Sequence, residues 1–161
     1  MNNQMKNRMP AFLLAVLFCL CAAGSALAAK EVALPDSRYT ITVPDWMRYD
    51  GPDEDDGCVF AYVSDALEMD VFSYEDEDSS LQNIAKELAE ENPDYVVELR
   101  SICGLSMVCY QADDRNMISG GEITPCVGFL LRDGKRLIEV VFWYPTEDSF
   151  HQAEEIINSI H

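Results

Sequence analysis

From residue 39 onward the chain consists mostly of short runs in which apolar residues alternate with polar ones or crowd together, which is the signature of strands. Tyr39-Thr-Ile-Thr-Val43 has period two and stops at Pro44-Asp45. Residues 58–63 and 67–74 are β-rich and joined through Ser64-Asp65-Ala66, which predicts a hairpin. Four more runs follow, at 95–102, 106–112, 123–131 and 137–144. The last two are separated by Arg132-Asp-Gly-Lys135, and Asp-Gly between strands is a hairpin signal. In Leu137-Ile-Glu-Val-Val-Phe-Trp-Tyr144 both parities are apolar except at Glu139, so this strand is expected to be central and covered on both faces.

Two segments switch to helical spacing. Leu81, Ile84, Ala85 and Leu88 fall at i, i+3, i+4, i+7, with Ser79 and Gln82 at capping-box spacing and Asn92-Pro93 as the stop. Thr146 caps a second helix with Glu147 and Asp148 in its first turn and Phe150, Ala153, Ile157 and Ile160 as its apolar stripe. The pattern therefore predicts an α+β domain: an antiparallel sheet of about six to seven strands with two helices covering apolar faces.

The first residues have a different organisation. Met1 to Pro10 carries Lys6 and Arg8 and no acid; an apolar run follows from Ala11 to Ala23, and then the small-x-small sequence Ala26-Leu27-Ala28. These are the three parts of a secretory signal. The apolar run is shorter than the roughly 20 residues that span a bilayer. Residues 1–28 thus read as a leader and 29–161 as a single secreted or extracytoplasmic domain, which touches a membrane only through the transient leader. Cleavage after Ala29 is nearly as well supported as after Ala28.

Charge narrows the partners. The chain carries a formal −18, and removal of Lys6 and Arg8 with the leader takes it to −20. Such a field repels phosphate backbones, which argues against nucleic acid, and anionic membrane surfaces; it favours basic partners, a protein or peptide among them, or divalent cations, and solubility outside the cell is its simplest account. Cys58, Cys103, Cys109 and Cys126 remain of the six cysteines. An even number in an exported chain suggests two disulfides. If 106–112 and 123–131 form a hairpin centred near residue 117 or 118, Cys109 and Cys126 stand opposite one another at bridging distance. That pairing leaves Cys58 with Cys103.

At this point the order of elements resembles the Mog1/PsbP-like fold family. The resemblance rests on the early strand running into Val43-Pro-Asp-Trp46, the capped amphipathic helix, the Gly104-Leu105 turn into antiparallel strands, and the apolar strand 137–144 before a helix ending Ile157-x-x-Ile160. It covers most of 38–161. It implies a layered α+β fold and a role like that of known members, which are mostly non-catalytic binding or assembly proteins.

No constellation in the residues argues for catalysis. There is no Gly-x-Ser-x-Gly, no Cys-x-x-Cys, and no phosphate-cradling loop; the two histidines, His151 and His161, lie near the C-terminus. No catalytic, cofactor or metal residue is assigned. The run Asp53-Glu-Asp-Asp56 could in principle hold Ca²⁺ but lacks the loop register that such sites use, and reads as a solvated loop. Trp46, Tyr49, Phe142, Trp143 and Tyr144 could line a groove; for the last strand, core packing is the better reading. The expectation is a secreted or envelope binding module, with a hydrolase using acidic residues, or a Ca²⁺-stabilised surface protein, as the alternatives. Mass spectrometry of the exported protein should find a new N-terminus at Ala29 or Lys30; a chain that keeps Met1 outside the cytoplasm would refute the leader.

Overall fold

A computed structural model describes residues 29–53, 55, 57–76, 79–114 and 124–161. The segment 1–28, expected from the sequence to be a leader, and most of the 113–121 loop lie outside the described residues. In chain order the elements are β1 (Ala29–Ala33), β2 (Thr40–Pro44), β3 (Arg48–Asp53), β4 (Cys58–Val63), β5 (Glu68–Glu75), α1 (Leu81–Glu91), β6 (Val96–Ile102), β7 (Leu105–Asp114), β8 (Thr124–Asp133), β9 (Arg136–Trp143) and α2 (Glu147–Ile157). β1 and β2 form a small antiparallel sheet; the other seven strands form one sheet in the order β3-β4-β5-β9-β8-β7-β6. All its pairings are antiparallel. The α+β class and the two helices are as the sequence predicts.

β9 is the middle strand of the seven. Its alternate residues Ile138, Val140 and Phe142 enter one core, with β2, α2 and Met47. Leu137, Val141 and Trp143 enter a second core on the other face, under Leu81, Ile84, Ala85 and Leu88 of α1. The domain is therefore three layers, with the sheet in the middle. The C-terminal residue closes the first layer: His161 and Thr40 exchange backbone hydrogen bonds of 2.9 and 3.1 Å.

Glu139 interrupts the apolar pattern of β9, and the second core satisfies it. Its carboxylate accepts from the Tyr74 hydroxyl at 2.8 Å and from the Tyr110 hydroxyl at 2.6 Å. Tyr74 comes from β5, beside β9, whereas Tyr110 comes from β7 and must reach across β8. It does so over Gly128, its register partner. A Cβ on Gly128 would stand 2.1–2.4 Å from the Tyr110 ring, so only glycine leaves the path open. Burial, and then the neighbouring Glu139 charge, push both tyrosine hydroxyls well above their ordinary range, so both remain protonated donors.

Three expectations are corrected. The ladder sets Cys109 against Phe129 and Cys126 against Ala112, three positions from the register that would oppose the two cysteines. An odd displacement puts side chains on opposite faces: Cys109 enters the first core and Cys126 the second, so no Cys109–Cys126 bridge forms. Cys58 starts β4 and Cys103 sits in the β6–β7 turn, four strands away, roughly 19 Å at the usual strand spacing, far beyond bridging distance. Cys103 instead donates to the Asn158 carbonyl at 3.0 Å. The cap of α1 is Ser80, whose hydroxyl accepts from the Asn83 N–H, not Ser79. Ser79 is held otherwise: its N–H donates to Asp76 and its carbonyl accepts from Arg132. Arg132 also binds the Asp76 carbonyl at 2.6 Å and carboxylate at 2.9 Å, and so fastens the approach to α1 onto β8. Finally, 48–53, for which the sequence pattern predicts no strand, pairs with β4 through two register shifts and takes in Asp53, the first residue of the acidic run read as a loop.

Gly128→Ala should lower stability by about 1–3 kcal/mol, the usual cost of overpacking a filled core, as read from a urea melt. In a Tyr110→Leu background, which lacks the ring that the new methyl meets, Gly128→Ala should cost clearly less than it does in the wild type, a coupling that a double-mutant cycle reads.

Candidate functional site

Strand β5 alternates strictly. Met69 and Val71 are fully buried in the first core, while Glu68, Asp70 and Phe72 project to the opposite face. There they meet Trp143 of β9, Ala61 of β4, and the irregular part of β3, where Asp50, Gly51 and Asp53 fold over. The result is a cleft of about 310 Å³. Phe72 and Trp143 belong also to the layer beneath α1, so the cleft opens on the same face as that helix, toward the β3 edge.

Its chemistry is acidic over an aromatic floor. The Trp143 indole Nε1 donates to Asp70 at 2.9 Å, which fixes that carboxylate against the ring. Asp50 is held at the rim by Arg48 at 2.6 Å, an exposed pair of small energetic weight. Among the described residues the Glu68 carboxylate makes no hydrogen bond or ion pair, although it is half-buried. Burial, followed by the charges of Asp70 and Asp50, pushes its carboxyl up to about 7. Cys58 donates to the carbonyls of Phe60 at 3.2 Å and Val71 at 3.7 Å, and burial pushes its thiol up. It is a packed thiol with no activating base.

The other sequence candidates are dispersed. Phe142 is core, Tyr144 packs against Phe150 at 5.1 Å between ring centroids, and Tyr49 stands exposed against Tyr62 at 5.4 Å. Trp46 lies beside Gln152 in a shallower groove of about 280 Å³. His151 is exposed next to Glu154, and His161 binds Thr40. Asp53 accepts from the Asp55 N–H at 3.0 Å, a local turn; Glu54 and Asp56 lie outside the described residues. No group of His, Cys, Asp and Glu among the described residues is disposed to hold a metal ion. Of the five aromatics, only Trp143 joins the acidic cleft. The carboxylates that make it, Glu68 and Asp70, were not singled out from the sequence; their signal was two acids at alternate positions of an apolar strand, both on one face.

No protein-family model and no curated protein matches the chain. Solved structures do. A protein from Bacteroides thetaiotaomicron superposes with a TM-score of 0.62 at 16% identity, over 82% of this chain and 47% of that one, so the chain spans about half its length. The cyanobacterial PsbP of Synechocystis sp. superposes with a TM-score of 0.57 at 14% identity, covering 84% of this chain and 92% of that one. The Saccharomyces cerevisiae Ran-binding protein Mog1p gives 0.52 at 14%, covering 84% and 96%. At these identities the likeness is one of fold: the chain has a Mog1/PsbP-like α+β fold.

Glu68 imposes a direction on the pH dependence of stability. Its folded pKa is raised above the unfolded value, so the native state binds the proton more tightly and stability falls as pH rises from about 4.5 to about 7. Glu68→Gln should flatten that segment of the stability–pH curve and raise stability at pH 8 by on the order of 1 kcal/mol, once solvent screening of a half-exposed carboxyl is discounted. An unchanged curve would show Glu68 to be fully solvated.

Proposed function

We propose that this protein is a non-catalytic binding module of the extracytoplasmic space and that its acidic cleft receives a cationic side chain, lysine or arginine, from a protein or peptide partner. The observation that carries the reading is Glu68: a half-buried carboxylate with no partner among the described residues, beside Asp70 and over the Trp143 and Phe72 rings. An aliphatic stem ending in a cation complements both parts, since the stem covers the aromatic floor while the charge meets the carboxylates. The yeast neighbour is by name a Ran-binding protein, which supports a binding role for the fold. The net charge of −18 adds long-range attraction for a basic partner. The extracytoplasmic setting rests on the leader 1–28. No helix among the described residues is long and apolar enough to cross a membrane. A carboxyl titrating near 7 also suits general acid–base work, and the hydrolase alternative rests on that one feature.

Because Trp143 is bonded to Asp70, its fluorescence reports the cleft. Titration with a lysine- or arginine-rich peptide should change the emission, with affinity rising as pH increases through about 7 and Glu68 ionises. Asp70→Asn or Glu68→Gln should weaken binding about tenfold, the worth of one charge-assisted contact. A response that is equal for basic and acidic peptides would overturn the reading.

A further inference from the structure

The two edges of the large sheet are built differently. β3 carries Gly51 and Pro52 and two register shifts against β4, devices that blunt an edge. β6 pairs with β7 in unbroken register from Val96–Gln111 to Ile102–Leu105 and contains neither proline nor lysine. On it Val96 is 65% exposed and Leu99 45%.

The turn at its end decides which backbone groups remain open. Cys103 and Gly104 have φ of 51° and 82°, as a two-residue type I′ turn requires. The pair that closes such a turn, Ile102–Leu105, is hydrogen-bonded, and bonded and non-bonded pairs alternate along an antiparallel ladder. Val96, Glu98, Arg100 and Ile102 therefore bond to β7. Val97, Leu99 and Ser101 aim their N–H and C=O groups outward from the sheet.

We propose that β6 pairs antiparallel with the β6 of a second copy, about a two-fold axis at Leu99. In that register Leu99 faces its own counterpart, Val97 faces Ser101, and Glu98 faces Arg100, twice by symmetry. Every outward amide falls in a bonded pair, and the facing charges fall in non-bonded pairs, where Cα atoms approach to about 4.5 Å. The neighbouring registers are worse. An axis at Glu98 or Arg100 sets like charges face to face, and one at Val97 or Ser101 sets Glu98 against Val96 or Arg100 against Ile102. Within one chain Glu98 and Arg100 already pair at 3.6 Å, so the two charges lie on one face with opposite signs adjacent. The chain's net −18 opposes association at long range, but that field is screened beyond about 8 Å at physiological salt, leaving the local register to decide.

Sedimentation equilibrium of the purified protein at physiological ionic strength tests this. The wild type should show a monomer–dimer equilibrium. Arg100→Glu sets like charges against each other at both cross-strand positions and should weaken the dimer about tenfold or more. The double reversal Glu98→Arg with Arg100→Glu restores complementarity with the signs exchanged and should recover the dimer. Leu99→Pro removes an N–H that β7 does not use and should abolish the dimer while the thermal melt shows a folded monomer. A wild type that stays monomeric at its highest soluble concentration overturns the proposal, including the case in which β6 receives a strand of another protein. So does a double reversal as weak as the single one.

Discussion

Strand β9 has to be buried on both faces, and the rest of the domain is arranged around that requirement. A strand of this composition at a sheet edge, or with one face in water, would leave large apolar side chains exposed. Its central place, with α2 and the small sheet on one side and α1 on the other, removes both faces from solvent. Glu139 is the exception that the arrangement must accommodate. A carboxylate on a largely apolar face is unfavourable unless it is hydrogen-bonded; Glu139 is partly buried, and the two phenols supply its bonds. The solution propagates outward. Tyr110 stacks on Tyr95 at 5.7 Å, Tyr74 stacks on Phe72 at 6.3 Å, and Gly128 stays bare so that one ring can pass. A single polar residue on the middle strand thus constrains residues on three other strands, β5, β7 and β8, and Tyr95 just before β6.

The acidic cleft follows from the same geometry. Phe72 belongs at once to the tyrosine network and to the cleft floor, and Trp143 to the α1 layer and the cleft floor. The Glu68 and Asp70 carboxylates are therefore aimed from a rigid strand rather than a loop, which suits recognition of a charge at a defined position. The irregular β3 supplies the rim, and the same bulges that bring Asp50 and Asp53 over the cleft also deny that edge to another strand.

Much of the fold was legible in the sequence because its signals are local: the Asp-Gly turn before β9, the Thr146 cap, the stripe of α1, and the double-parity apolarity of β9. What the sequence concealed depends on register. β3 is short, bulged and rich in turn residues, so no alternation marks it. The cysteine pairing failed because a hairpin's centre cannot be located within a long polar loop to better than a residue or two, and a three-residue displacement exchanges the two faces for one partner. Ser80 displaced Ser79 as cap because Arg132, far away in sequence, holds the Ser79 carbonyl. The cleft was hidden for a related reason: 29 acidic residues offer many candidate pairs, and only the pairing of β5 with β9 brings Trp143 to Asp70 and selects this one.

The strand order also governs how the domain can form. β3-β4-β5 and β6-β7-β8-β9 are each a meander whose strands pair with their sequence neighbours, and the two join only along the β5–β9 ladder, where Glu68 meets Trp143 and Glu75 meets Arg136. Local hairpins close quickly, whereas a ladder across that separation must first overcome the entropy of a long loop. A folding route that builds the two half-sheets first and zips them last would have its slowest step at this seam, where the Arg132–Asp76 clamp lies just past the Glu75–Arg136 end.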